Sequence, residues 1–150
     1  MTTKKCKVIL ADDHTLLRDA LASLINTFDE FNVITAVGNG NELIKALSNG
    51  YMPDLILLDL NMPGLDGFET AKWLNANHPE INILILTMYD SEIALIRLLK
   101  AGVKGFLKKD IHPVELRNAL KAVSENGFYY SHDTTGKLAS LFQKNLPRLR

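Results

Sequence analysis

The apolar pattern of this chain changes period again and again. Short runs rich in β-branched and aliphatic residues alternate with longer stretches whose apolar residues recur every three or four positions. The short runs are Val8–Ala11, Val33–Val37, Leu55–Leu58, Ile83–Leu86 and Val103–Leu107. Each has the length of a strand and most are apolar on both faces, as strands of a parallel sheet covered by helices must be. Between them, Leu16, Leu17, Ala20, Leu21, Leu24, Ile25 and Phe28 form a helical stripe. Leu43, Ala46 and Leu47 form a second and Phe68, Ala71 and Leu74 a third. Ile93, Ile96, Leu99 and their neighbours form a fourth, and Leu116, Leu120 and Val123 a fifth.

Local signals agree with this division. Asn39 precedes Glu42 by three residues and Asp66 precedes Glu69 by three, the spacing at which an N-cap side chain and a glutamate satisfy the first helical N–H groups. Pro113 suits a first helical position, and Gly50, Gly102 and Gly127 stand where helices should stop. Strict alternation of strand and helix implies right-handed crossovers and a doubly wound parallel sheet. At 150 residues the chain has the size of one domain and needs no disulfide or metal for stability. Its lone cysteine, Cys6, reads as a small core residue and fits a reducing, cytoplasmic setting. No secretory signal or membrane-length apolar run is expected, and a net charge of +0 argues against a chain that binds nucleic acid through bulk charge.

In such a sheet, ligands bind beyond the carboxyl ends of the strands. Asp12 and Asp13 follow strand one, Asp59 closes strand three, Thr87 closes strand four and Lys109 follows strand five. Singly, each has a plainer reading: Asp12-Asp13 as a helix N-cap, Asp59 as the start of a turn, Thr87 as a strand end, Lys108-Lys109 as solvated surface. Together they place three carboxylates, an ammonium and a hydroxyl at one edge. Three close carboxylates need a cation or raised pKa values, and hard oxygen ligands favour Mg²⁺. His14, His78, His112 and His132 show no metal-ligand spacing, which argues against zinc. A carboxylate beside Mg²⁺ can act as a nucleophile and form an aspartyl phosphate, with Lys109 and Thr87 on the phosphoryl oxygens.

The chain resembles the receiver domains of two-component response regulators. The resemblance is carried by Asp12-Asp13, the run Leu57 to Gly67, Leu86-Thr87 and Gly105 to Asp110, and covers roughly residues 5–127. It implies a flavodoxin-like (βα)5 fold with strand order 2-1-3-4-5. It also implies that Asp59 accepts a phosphoryl group from a sensor histidine kinase. Asp13, Asp59 and the backbone carbonyl of Asn61 would ligate Mg²⁺, and Asp12 would orient metal-bound water. Lys109 and Thr87 would hold the phosphoryl group, and Phe106 would be the switch aromatic, moving inward as Thr87 shifts. Pro63-Gly64 reads as a tight turn after the phosphoacceptor. Met88, where a small residue is frequent, is expected to narrow access for small phosphodonors. Phe106 lacks the hydroxyl of the more common tyrosine. Asn61 and Tyr89 would flank the path of hydrolytic water.

The stretch Thr87-Met88-Tyr89-Asp90, with Gly105 to Asp110, is similar to the receivers of NarL/LuxR-type transcription regulators. The resemblance therefore divides the chain into a receiver over 1–127 and a linker over 128–150 leading to an absent DNA-binding output domain. In the linker, Lys137, Lys144, Arg148 and Arg150 against Asp133 give +3, and Leu138, Leu141, Phe142 and Leu146 can line one face of a short helix. DNA contact is expected only through the missing domain, and a phosphorylation-dependent homodimer is expected of the receiver. The alternative within the same chemistry is a stand-alone receiver that shuttles phosphate or binds a partner. An enzyme acting on an outside phosphomonoester is disfavoured: Asn61 stands where a second general acid would follow Asp59 by two, and there is no Gly-rich phosphate loop.

Overall fold

The computed structural model describes residues 4–62, 64–87 and 92–129. Five strands, β1 (Cys6–Ala11), β2 (Phe31–Val37), β3 (Leu55–Asp59), β4 (Asn82–Thr87) and β5 (Gly105–Lys108), alternate with five helices. These are α1 (Thr15–Asn26), α2 (Gly40–Ser48), α3 (Gly67–Asn77), α4 (Glu92–Lys100) and α5 (Pro113–Asn126). The sheet is parallel throughout, with order β2-β1-β3-β4-β5. Strand order reverses between β1 and β3, which opens a crevice at the carboxyl ends of those two strands.

Strand β3 carries no polar side chain before its last residue because both faces are covered. Leu55, Ile56, Leu57 and Leu58 are all fully buried. Successive side chains point to opposite faces, so Ile56 and Leu58 join one core while Leu55 and Leu57 join the other. The first core is shared with Leu43, Ala71, Leu74, Leu95 and Leu98, the second with Ile25, Leu116, Leu120 and Val123.

The expected caps form. Asn39 accepts from the Glu42 N–H at 2.8 Å and returns a bond from Nδ2 to Glu42 Oε2 at 2.9 Å, and Asp66 accepts from the Glu69 N–H at 2.9 Å. Pro113 opens α5, and Gly127 closes it at φ 87°, a left-handed conformation suited to glycine. Gly67 serves a different purpose. A Cβ there would lie 2.6 Å from Leu60 Cα, so only glycine lets α3 begin directly against the chain leaving β3.

Two helical stripes differ from expectation. Leu16 is 86% exposed and Ile93 is 74% exposed. In α4, Leu95 and Leu98 form the buried seam. Arg97 and Lys100 follow Ile93 by four and seven residues, so the charged side chains of α4 share the face of Ile93 and turn it outward. Leu16 belongs to the first turn of α1. Asp12-Asp13 do not cap α1: the N-cap is His14, and Asp12 Oδ1 accepts the His14 N–H at 2.8 Å. Pro63, Met88, Tyr89 and Asp90, and the linker beyond Tyr129, lie outside the described residues.

Candidate functional site

The central three strands bring the side chains at or just past their carboxyl ends to the same edge. The register pairs Asp59 with Leu86 and Thr87 with Lys108, which places Asp59, Thr87 and Lys109 side by side. Lys109 is fixed from its backbone, whose N–H donates to the Thr87 carbonyl at 3.0 Å. Asp12 sits just past β1, anchored by its N–H on the Val37 carbonyl at 3.0 Å.

Asp12 and Asp59 have no exposed surface, and Thr87 has 3%. Lys109 Nζ lies 3.0 Å from Asp59 Oδ1 and 3.7 Å from Asp12 Oδ2. The Asn61 N–H donates to Asp59 Oδ1 at 3.2 Å, while the Asn61 side chain points to solvent. Asp12 Oδ2 and Asp59 Oδ2 are buried with no hydrogen-bond partner. Such orphaned acceptors are costly unless a cation or donor meets them. Burial pushes the Asp59 carboxyl up from 3.8 to about 6, and the neighbouring Asp12 charge adds to the rise. The Lys109 ammonium and the Asn61 N–H pull against it.

Of the residues singled out in the sequence, Asp12, Asp13, Asp59, Thr87 and Lys109 therefore gather at the edge of β1, β3, β4 and β5. Asn61 borders them through its backbone. Phe106 is 3% exposed and part of the first core, so any switching of this ring starts from a buried position. The pair Lys108-Lys109 splits, with Lys108 exposed and the Lys109 side chain 8% exposed.

One residue escaped the sequence reading. His14 Nδ1 lies 3.1 Å from Asp12 Oδ1, 3.2 Å from Asp13 Oδ1 and 3.4 Å from Lys109 Nζ. Asp12, Asp13, His14 and Asp59 each offer a ligand atom within 4.8 Å of the others. Weighing the histidines against one another hid this. The usable signal was His14's place directly after two acids at a strand end.

The sequence profile of the response regulator receiver domain matches residues 8–121. The chain belongs to the receiver domain family. It is 41% identical to a nitrate/nitrite response regulator protein homolog of Haemophilus influenzae over 81% of this chain and 58% of that protein. It is 34% identical to the nitrate/nitrite response regulator protein NarL of Escherichia coli K12, over 92% of this chain and 63% of that one. The chain thus spans about three fifths of the length of these curated relatives. A solved LuxR-family response regulator from Aurantimonas sp. SI85-9A1 superposes with a TM-score of 0.83 at 25% identity, covering 92% of this chain and 98% of that one. This receiver is of the two-component, LuxR-type kind, and family members of this type are signalling proteins rather than metabolic enzymes. Among the described residues no helix is long and apolar enough to cross a membrane.

Proposed function

We propose that this receiver takes a phosphoryl group on Asp59 from a sensor histidine kinase, with Mg²⁺ in the acidic pocket, and so changes its surface to control a DNA-binding output domain. The observation that carries the reading is the pair of buried carboxylate oxygens on Asp12 and Asp59 without hydrogen-bond partners, beside a nearly buried lysine. Asp12, Asp13, Asp59 and the Asn61 carbonyl would hold the ion. Bound there, Mg²⁺ supplies positive charge against the carboxylates and the incoming phosphoryl oxygens.

The protein's own part follows from its geometry. The Asp59 carboxyl, at about 6, is mostly ionised at neutral pH and therefore nucleophilic. A carboxylate oxygen forms a new P–O bond as the P–N bond of the donor phosphohistidine breaks, and the imidazole leaves with its electron pair. Lys109, held on Asp59 at 3.0 Å, is placed to pass its charge to the phosphoryl oxygens. Phosphorylation adds about −1.5 to −2 charge, and Thr87, buried at the same edge, is the residue proposed to turn toward it, with Phe106 following. Leu16 at the start of α1 and Val114 at the start of α5 are exposed beside this edge, as an approaching helical partner requires.

The wider assignments complete the proposal: a receiver over 1–127, a linker over 128–150, a cytoplasmic setting, a phosphorylation-dependent homodimer, and transcription control through a domain outside this chain. Two further relatives, 31% and 35% identical, are named transcriptional regulatory proteins, which supports the last of these over a stand-alone shuttle. The deciding experiment is intact mass after exposure to Mg²⁺ and a small phosphodonor. One added phosphoryl group is expected in the wild type and none in Asp59→Asn. Equal labelling of the two would remove Asp59 from the mechanism.

A further inference from the structure

The short loop that carries two acids past β1 is held by its backbone. The Asp12 N–H donates to the Val37 carbonyl at 3.0 Å, and Asp12 Oδ1 accepts the His14 N–H at 2.8 Å. A further bond comes from the helix that follows. Arg18 closes the first turn of α1, its N–H donating to the His14 carbonyl at 2.8 Å. Its side chain turns back, and Nη1 donates to the Asp12 carbonyl at 3.2 Å. That carbonyl belongs to the peptide unit joining Asp12 to Asp13. A peptide unit is planar and turns as one body, so a donor on its oxygen limits where Asp13 can point. Asp12 has no exposed surface, but the Asp13 side chain is 34% exposed and depends more on such a restraint. Gly38, between β2 and the Asn39 cap, adjoins the same guanidinium. A Cβ there would lie 3.1 Å from Arg18 Nη1 and 3.3 Å from Glu42 Oε2. The Gly38 backbone is not left-handed, so its conformation does not call for glycine. A side chain at this position would instead push the guanidinium aside.

We propose that Arg18 is a positioning residue for phosphoryl transfer to Asp59: it holds the Asp12–Asp13 peptide so that Asp13 faces the acidic pocket, while Gly38 keeps the path of the guanidinium clear. The inference rests on the phosphoacceptor reading given above. Arg18 acts through the loop backbone rather than on the reacting atoms. A guanidinium suits the task because it stays charged at every working pH and carries its donors on a long arm. Two perturbations reach the same bond from different elements. Replacing Arg18 removes the donor from α1, whereas a side chain at Gly38 displaces that donor from the end of β2 and leaves its charge in the molecule.

The test follows labelling of the full chain by a small phosphodonor across a MgCl₂ series, read by intact mass, for wild type, Arg18→Met, Arg18→Lys and Gly38→Val. Arg18→Met and Gly38→Val should raise the half-saturating MgCl₂ concentration about tenfold, while the rate at saturating MgCl₂ falls less than about threefold. Arg18→Lys keeps a charged donor on a long arm and should recover part of the loss. A second readout needs no ion. In metal-free protein the His14 amide should exchange with solvent several-fold faster in Arg18→Met and Gly38→Val than in wild type, with the amides of β5 and α5 unchanged. Wild-type half-saturation with wild-type His14 exchange in both variants would overturn the role of Arg18 and leave Asp59 as acceptor. So would uniform slowing at every MgCl₂ concentration with faster exchange throughout the sheet, which marks a general loss of structure. A wild type that takes no label at any MgCl₂ concentration would overturn both readings.

Discussion

Leu57 and Asp59 lie two residues apart on β3, and neither exposes any surface. Their energetics are opposed. Leu57 is surrounded by apolar side chains from β1, β4 and α5 in a core that favours its burial. Asp59 is a carboxylate in the same strand, next to Asp12, with one oxygen left unpartnered and only Lys109 and an amide to offset the loss of water. The strand middles stabilise the fold so that the strand ends can hold a destabilised cluster in place. Functional residues on rigid elements gain precision this way, at a cost in stability that the core covers.

The largest expected effect belongs to the strand middle. Leu57→Ala should cost about 2–5 kcal/mol in urea unfolding, through lost burial and the cavity left behind. The same variant, measured where it remains folded, should keep divalent-ion affinity. A loss under about 1 kcal/mol would mean that the sheet centre is not where stability resides.

The strand end should behave in the opposite sense. The Asp59 carboxyl is raised from 3.8 to about 6, so the native state binds its proton more tightly than the unfolded chain does. Its contribution to stability is complete below 3.8 and is lost as pH rises through about 6. Metal-free protein should therefore gain about 1 kcal/mol in unfolding free energy between pH 7 and pH 5 from this group. Asp59→Asn should flatten that segment and stabilise the metal-free fold at pH 7. The window is best read above pH 5, because Glu30, held low by Arg117, acts in the reverse direction near its own range. Added Mg²⁺ should stabilise wild type by mass action and do so less in Asp59→Asn. A metal-free wild type that is no more stable at pH 5 than at pH 7 would break the contrast between the two regions.

Much of this was legible in the sequence, for separable reasons. Strands β3 and β4 were readable because burial on both faces leaves no choice but continuous apolar residues, as in Leu55–Leu58. The caps at Asn39 and Asp66 were readable because capping is local chemistry at fixed spacing. The site was readable because parallel strands all end at one edge, so Asp12, Asp59, Thr87 and Lys109 had to meet there. What escaped depends on side-chain direction rather than position. The outward turn of Ile93 follows from Arg97 and Lys100 on the same helical face, a charge pattern that apolar spacing alone passes over, and the burial of Phe106 depends on what covers β5. His14 escaped for a related reason: its partners are adjacent acids whose geometry arises only once Asp12 folds back onto the His14 N–H.

The smallest effect sharpens the contrast by asking whether the scaffold and the site can be separated at their closest approach. Asp66 caps α3 by accepting the Glu69 N–H at 2.9 Å, and the next residue, Gly67, donates to the Leu60 carbonyl at 3.0 Å, one residue beyond Asp59. Asp66→Ala removes a cap and should cost about 1 kcal/mol. If the strand alone positions Asp59, divalent-ion affinity should change less than about twofold while the unfolding midpoint falls, since a twofold change is about 0.4 kcal/mol. If affinity falls tenfold along with stability, α3 is part of what holds the carboxylate, and the boundary between core and site lies further along the chain than Asp59. Calorimetric titration beside urea unfolding on the same preparation separates the two, because the cap acts on the helix and reaches the pocket only through the Gly67–Leu60 contact.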